Sequence, residues 1–583
     1  MSKTPNFDKA LDEYFTKLEL DEKGGQWRTC QFSGEKFYVR PEDVEFYKRI
    51  RVPLPTLSPN ERRRRRCAAH NSYTLFKKVS AFSGKKIVSI YPPQSPFKIF
   101  EHQIWYSDKW DPMEYTIDYD PQESVFKQIY ELQLKVPHPS LISDPTNINS
   151  DFTNVSKNLK NCYFTFDQNK GEDLYYHQCC YDDKNCVECW ALDYSDTCYE
   201  SKIGQHLFKC FFCEECRNCM ESYFLWDCRN CDHCFMSANL RNKKYYFRNE
   251  YVGKEKWEKL MREVYLGSYK NLQALKKEFG EMKITAPRKP NWNEKSVNVL
   301  GDYIKNSKNI YFGLWVSESE NLSYSEGIDH SRESYDVLGG MDNELCYELA
   351  NVWAEDDYGC KFSMQVDNCQ EVEFCDSCRN CQNCFGCVGL VNKKFCIFNR
   401  QYSEEDYYKT VDGIKSKMLA DGEYGEFFPP QYLPFPYRTT TAGYYYGFWD
   451  FENAQKYGYD VSVVEEYGGE TAEGAVVNAE DLPDDIKDVK DDILNKIIFD
   501  SKNNKKFRYI KQELDFYRKH SLPLPREHPA SRMSSWRKEF GLTVNFYKRT
   551  CPKCAKVFET TFAPERPEKN VYCEVCYLKA VAT

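Results

Sequence analysis

No apolar run in the 583 residues approaches the roughly 18 that a membrane-spanning helix needs, and mean hydropathy is −0.73. The first twenty residues, Met1 to Leu20, carry charges throughout and lack the apolar core of a signal peptide. No nucleophile elbow, P-loop, HExxH or Rossmann glycine pattern occurs, and only 9 histidines are present. These absences predict a soluble, cytoplasmic protein with no membrane partner and none of the common enzyme signatures. Apolar content is not lacking: 41% hydrophobic and 16% aromatic residues exclude a globally disordered chain. What is abundant is cysteine, at 28 residues. Without an export signal these are expected to be metal ligands and core residues rather than a disulfide framework.

Charge is segregated. Gln26 to Asp111 holds 17 Lys and Arg against 8 Asp and Glu, including the run Arg62, Arg63, Arg64, Arg65 and Arg66. Ser501 to Thr583 holds 18 against 8, whereas Glu452 to Asp500 holds 14 acids against 4 lysines. The acidic stretch (Glu465, Glu466, Glu470, Glu473, Glu480, Asp481, Asp484, Asp485, Asp488, Asp491, Asp492) reads as a solvated, mobile spacer.

An offset of 470 superposes the two ends. Phe37, Glu45, Phe46, Tyr47, Pro53, Leu54, Pro55, Pro59 and Arg62 meet Phe507, Asp515, Phe516, Tyr517, Pro523, Leu524, Pro525, Pro529 and Arg532. At offset 471, Phe76 to Pro96 continues onto Tyr547 to Pro567, so each end is a pair of small units. The last unit carries Cys551, Cys554, Cys573 and Cys576. Paired CxxC turns place four thiolates at tetrahedral corners, which suits one structural zinc ion per chain; a catalytic zinc normally keeps a position open. The other copies have lost this set. Ser80, Ser83, His102 and Trp105 stand in one, Cys30, Ser33, Ser58 and Glu61 in another, and Asp500, Asn503, His528 and Ser531 in the third. An irregular site from Cys30, Cys67, His70 and His102 is the remaining alternative.

The recurring aromatic, acidic, Phe-Tyr-basic, Pro-rich and Pro-x-x-Arg pattern, with Cys551-Pro-Lys-Cys554, Ala563-Pro-Glu-Arg-Pro567, Tyr572-Cys-Glu-Val-Cys576 and Tyr106-Ser-Asp-Lys-Trp-Asp111, resembles a known family. It is similar to the zinc-ribbon modules of uncharacterised Cys-rich proteins from candidate-phyla bacteria, over both ends and the cysteine-rich middle. The resemblance implies zinc-ribbon folds and brings no activity with it. Members usually carry more of the metal cysteines than this chain does.

In the middle, stepping by six from Cys162 visits small or apolar residues at all but Gln168. Stepping by eighteen gives Cys162, Cys180, Cys198, Cys216 and Cys234. Eighteen residues read as one coil of three six-residue sides, with Asn161, Asn185, Asn218 and Asn230 at corners. A second half repeats the first at offsets of 148 and 150; its six-residue steps run through Val352 and shift by two residues before Val366. Cys162 and Cys180 become Ile310 and Ile328 there, so these positions ask for a compact apolar group. The dense runs Cys210 to Cys219 and Cys375 to Cys387 keep open a rival reading as metal ligands. Helical signals follow each half: Lys254 to Phe279 around Gly267, and Ser403 with Asp406 as a capping box opening a helix to about Leu419. Phe7, Leu11, Phe15 and Leu18 mark an amphipathic core helix.

The expected fold is mainly β: a duplicated triangular β-solenoid of about 18 residues per coil with helical caps, flanked by two homologous zinc-ribbon-like modules. In order, an amphipathic helix (1–25), a degenerate basic double-ribbon module (26–120), a solenoid half (150–241), a helical insert or cap (242–300), the second half (306–400), a helical cap and aromatic segment (401–451), the acidic linker (452–500) and a double-ribbon module with one zinc site (501–583) are expected.

Three functions fit. The first is a non-enzymatic, zinc-containing scaffold whose basic modules bind nucleic acid, as RNA or a ribonucleoprotein. Arg62, Arg63, Arg64, Arg65, Arg66, Lys77, Lys78, Lys548 and Arg549 would supply phosphate contacts, and Tyr47, Tyr517, Phe546 and Tyr547 stacking faces. The second is a protein-interaction or self-assembling scaffold, docking a partner through Tyr444, Tyr445, Tyr446, Phe448 and Trp449. The third, by fold analogy, is a hexapeptide-type acyltransferase using His177, His206, His233 or His330.

Overall fold

In the computed structural model, parallel pairing in the middle of the chain recurs at one interval. Asn154 pairs with Phe166, Phe166 with Gln178, Trp190 with Lys202, Phe208 with Met220 and Tyr223 with Phe235, so the chain returns beside itself every 12 residues. The protein is mixed α/β with many parallel sheets. The structure describes residues 2–351, 354–444, 447–464, 474–540 and 545–582, with backbone alone at 537–540. Val352, Tyr445, Tyr446, Glu465, Glu466, Glu470 and Glu473, which the sequence reading used, lie outside the described residues.

The eighteen-residue triangular coil is thereby corrected, and the reason is visible in the backbone. From Val155 to Asn242 every third residue has a positive φ between 43° and 59°. The residue after each points inward, giving a core of Leu159, Cys162, Leu174, Cys180, Cys186, Leu192 and their successors. Six and eighteen are both multiples of three, so both steps land on inward positions, and only the pairing distinguishes them from twelve. Left-handed backbone favours Asn and Asp over other non-glycine residues. Asn161, Asn185, Asn218 and Asn230 all occupy such corners, and Asn218 donates to Asn230 at 3.0 Å one return later.

Inward cysteines do more than fill space. Cys213 Sγ donates to Phe211 O at 3.5 Å and Ser222 O at 3.6 Å; inward Ser201 does the same to Tyr199 O at 3.3 Å and Cys210 O at 3.0 Å. A small side chain with one weak donor is what each position requires. The second stack follows the same rule. Its return lengthens to 14 residues between Tyr347 and Lys361, which is where the two-residue shift in the sequence falls.

Two compact units divide the chain, Met1–Leu141 with Asn291–Glu465, and Ile142–Pro290 with Glu466–Thr583. Each joins one end module to one parallel stack. Module precedes stack in the first unit and follows it in the second.

In the first unit, the hairpin Gln26–Thr29 and Lys36–Val39 leads into helices Pro41–Ile50 and Pro59–Ala68, and a second hairpin pairs Phe76–Val79 with Lys86–Ser89. The helix Pro5–Thr16 buries Phe7 and Leu11, and Asp412, on the capping helix Glu404–Asp421, accepts from the amides of Asn6 and Phe7 at 3.2 and 2.8 Å. Ser403 Oγ accepts from Asp406 N at 3.1 Å, as the capping signal requires.

In the second unit, Ile497–Asp500 and Lys505–Phe507 precede helices Lys511–Lys519 and Pro529–Phe540, then the hairpin of Tyr547–Thr550 with Val557–Thr560 and the helix Glu574–Val581. Helices Lys254–Glu263 and Tyr269–Thr285 follow its stack. The acidic spacer is corrected from residue 474 onward. Val476–Asn478 pairs with Ile497–Asp500, Asp484 accepts from Ser268 Oγ at 2.6 Å and Lys270 N at 3.0 Å, and Asp491 pairs with Arg518 at 2.5 Å. Acids that read as solvated charge hold a helix start and a neighbouring helix instead.

Candidate metal centre

A single turn recurs four times in the modules. Cys551 N donates to Lys556 O at 2.8 Å and Ala555 N returns to Cys551 O at 2.9 Å, with Ala555 at φ 59°. Cys30 with Gly34 and Ser80 with Gly84 form the same pair of bonds, and Asn504 takes the left-handed place after Asp500. The turn aims the residues at its first and fourth positions at a common point.

At the last copy that point is lined by thiols. Cys551, Cys554, Cys573 and Cys576 offer sulfurs all within 4.8 Å of one another, and Cys554 and Cys573 lie 3.5 Å apart. Four sulfurs about 2.3 Å from zinc stand roughly 3.8 Å from each other, so the group fits a tetrahedral ion. Cys573 caps the helix Glu574–Val581, whose amino-terminal end favours a thiolate. Burial opposes ionisation of Cys551, but the N–H groups of Cys573, Lys553 and Cys554 outweigh it and bring the thiol down to about 6. Together they form a four-cysteine group that can bind a metal ion such as zinc.

Carboxylates replace the ligands elsewhere. Glu101 accepts from both Ser80 Oγ, at 2.5 Å, and Ser83 Oγ. Asp500 accepts from Asn503 Nδ2 at 2.8 Å and from His528 N at 2.8 Å, tying the turn to the start of the helix Pro529–Phe540. Cys30 is buried beside Ser33 and Ser58, whose donors outweigh its burial and lower its pKa. Cys67 donates to Glu326 at 3.3 Å and His70 pairs with Ser72 at 2.9 Å, so each has its own partner. Among the described residues no metal-type cluster joins Cys30, Cys67, His70 and His102.

The five arginines of Pro59–Ala68 required correction. None is more than 6% exposed. Arg62 and Arg66 share Asp336 at 3.0 and 2.8 Å and reach Glu348 at 3.9 and 3.4 Å; Arg63 pairs with Glu326 at 2.7 Å, Arg64 with Asp450 at 2.5 Å and Arg65 with Glu426 at 2.7 Å. Guanidiniums held this way are not turned toward a phosphate backbone. Tyr47 and Tyr517 are also buried and give no stacking face. Lys78 donates to the carbonyls of Pro92, Pro93 and Ser95, and Arg549 to Glu568 O at 3.1 Å. Lys77 and Lys548 are exposed.

Of the candidate histidines, His177 is fully buried, His206 stacks on Tyr194 at 5.5 Å, His233 pairs with Glu221 at 2.9 Å and His330 with Asp329 at 3.1 Å. Tyr444 stacks on Tyr73 at 5.7 Å, Phe448 packs into a core, and Trp449 is 43% exposed.

Sequence reasoning missed Glu101 and the acidic faces of the stacks. Asp336 and Glu348 recur at the twelve-residue interval, a signal readable only once that interval is known. No helix among the described residues is long and apolar enough to cross a membrane. Fold and site together define a chain with parallel β-stacks and a four-cysteine module of the zinc-binding type. No family model matches it, and no match was found among curated proteins.

Proposed function

We propose that the protein is a non-enzymatic, zinc-containing scaffold whose ribbon modules recognise protein faces, its parallel stacks being β-solenoids of twelve residues per coil. A recognition set used twice supports this reading. In the first unit Tyr47 packs against Tyr347 at 5.4 Å, Arg62 pairs with Asp336, and Tyr324 donates to Asp43 at 3.1 Å. In the second, Tyr517 packs against Tyr199 at 5.9 Å, Arg532 pairs with Glu188, and Tyr176 donates to Glu513 at 3.1 Å. Module residues correspond at offset 470 and stack residues at 148. The modules therefore read a tyrosine-lined, acidic protein surface, and the partner class this favours is a protein with such a face. The four-cysteine group serves as the structural clamp of the last module, in keeping with the zinc-ribbon resemblance.

Nucleic-acid binding is a second reading favoured by one observation, the equivalent exposed positions of Lys77 and Lys548. A gel-shift titration of the full chain with single-stranded and structured RNA at low salt tests the pair. The scaffold reading expects no salt-dependent binding. Tight binding lost in the Lys77→Glu, Lys548→Glu chain replaces it with an RNA-binding function.

A further inference from the structure

One turn of the first stack departs from the small-residue rule. Its inward positions are His177, Cys180, Asp183 and Cys186, three residues apart, so they line the interior of a single twelve-residue return. His177 and Asp183 are 0% exposed and Cys180 is 4% exposed. One ligand atom from each of these three lies within 4.8 Å of the others. Cys186, the fourth inward residue of the turn, stands outside this group.

Cys180 and Cys186 donate to the carbonyls of Gln178 and Lys184, at 2.9 and 3.1 Å, but the imidazole and half of the carboxylate in this turn are left without hydrogen-bond partners. Neither ring nitrogen of His177 makes a hydrogen bond, and Nε2 faces Asp183 Oδ2 at 3.8 Å. Asp183 Oδ1 accepts from Ser195 N at 2.7 Å, but Oδ2 has no donor. A buried imidazole and half a buried carboxylate without partners cost several kcal/mol unless something completes them. The neighbouring inward Ser201 and Cys213 complete theirs on backbone carbonyls.

We propose that this turn is a second metal site, in which His177, Cys180 and Asp183 hold a zinc-class divalent cation inside the stack. Nitrogen, sulfur and carboxylate oxygen are the donors that zinc takes. The ion offsets the negative charge that a thiolate and a carboxylate would bring into the interior, and a site this enclosed takes up its metal as the stack forms. The corresponding turn of the second stack, at offset 148, holds Ser325, Ile328, Ser331 and Ser334. Its serines donate to Ser323 O, Asp329 O and Arg332 O, so that turn closes without an ion.

That correspondence supplies the test. Full chain purified from zinc-supplemented medium is expected to carry about two ions by elemental analysis, one of them in the four-cysteine group. The exchange His177→Ser, Cys180→Ile, Asp183→Ser and Cys186→Ser copies the second stack and lowers the count by one. The chain with Cys554→Ser and Cys576→Ser also loses one, and cobalt loaded into its remaining site gives a mixed nitrogen, oxygen and sulfur spectrum. This second chain leaves the stack intact, so the test survives a folding failure of the exchange. A wild-type count of one, abolished by the Cys554 and Cys576 changes, overturns the proposal.

Discussion

The first unit docks its module on its stack mainly through charge, and the second does so with far less of it. Four of the five arginines on Pro59–Ala68 have Met533, Ser534, Ser535 and Trp536 at the equivalent places of Pro529–Phe540. Their partners change with them. Glu326, which takes Arg63, corresponds to Gln178, and Glu348 to Glu200, which pairs with Lys276 at 2.6 Å from a helix of its own unit. Among the described residues, Arg62 with Asp336 and Arg532 with Glu188 are the pair kept in common. The docking geometry therefore survives the loss of most of its ion pairs, with the aromatic and tyrosine–carboxylate contacts as the constant part. Buried pairs of this kind add little net stability over well-packed apolar contacts, because desolvation offsets much of their Coulombic gain.

Metal removal is the largest lever on the comparison, because the second unit clamps its last hairpin with four cysteines where the first uses Glu101. Structural zinc in small modules contributes on the order of 10 kcal/mol to their folding. Chelation, or Cys554→Ser, is expected to expose residues 547–582 to proteolysis and rapid amide exchange. The hairpin of Phe76–Val79 and Lys86–Ser89 should stay protected in the same sample. Equal loss at both ends would mean that the Ser–Glu clamp is not an independent substitute.

Breaking one ion pair comes next. Arg63→Met leaves Glu326 buried with Cys67 as its remaining neutral donor, and is expected to destabilise the first unit by about 3–5 kcal/mol. Adding Glu326→Gln copies Met533 and Gln178 and should recover most of that loss. A double-mutant cycle in denaturant measures the coupling; an additive result would show that the pair is not what holds the helix.

The duplication behind these comparisons was legible in the sequence, because Phe46, Tyr47 and Arg62 keep their spacing in Phe516, Tyr517 and Arg532. The helices after each stack were legible too, through Ser403 with Asp406 and the break at Gly267. The return length was not. An inward side chain at every third residue satisfies six, twelve and eighteen alike, and only hydrogen bonds between neighbouring returns select one. The fate of the arginines was hidden for a different reason. Their carboxylates lie some 260 to 390 residues away in sequence, so the run read as a solvated face. The same distance hid the pairing of each module with the stack farther from it in the chain. At the metal centre, CxxC spacing alone disclosed all four cysteines, whereas His177 and Asp183 meet only through the twelve-residue return.

A pH titration sharpens the comparison further. Burial pushes Glu513 up to about 8, against the opposing pull of Ile510 N and the hydroxyls of Tyr176 and Tyr517. Its counterpart Asp43 is paired with Arg40, where the second unit has Ile510. The folded state thus retains a proton that the unfolded chain has released, so this contribution to stability falls as pH rises from about 4.5 to about 8. The slope is at most about 1.4 kcal/mol per pH unit for one group. Glu348 in the first unit, where burial outweighs Arg66 and raises the carboxyl to about 7, adds a parallel but shorter limb. Ile510→Arg, restoring the first unit's pair, should remove the limb between pH 7 and 8 in thermal melts. A limb unchanged in that variant would assign the titration to another group.

The smallest effect is expected inside the stacks, where the two units differ by single atoms. Cys213 corresponds to Ser363 at offset 150. Cys213 Sγ donates to Phe211 O at 3.5 Å, and Ser363 Oγ donates to Lys361 O at 2.8 Å while accepting from Cys375 N at 3.0 Å. The backbone asks each for the same thing, a compact group with one donor directed at the carbonyl two residues back. A hydroxyl makes the stronger hydrogen bond, and a thiol fills more apolar volume. These differences oppose each other, so Cys213→Ser and Ser363→Cys should each change stability by less than about 1.5 kcal/mol, the range for volume-conserving exchanges in a core. Chemical denaturation reads the energy, and elemental analysis of the same samples reads the metal. If Cys213→Ser lowers the metal content, the dense cysteine run from Cys210 to Cys219 is a ligand array and not a set of hydrogen-bonded core thiols. An unchanged count with an unchanged melt places these cysteines with the serines they alternate with, and leaves metal binding in this stack to the turn that carries His177.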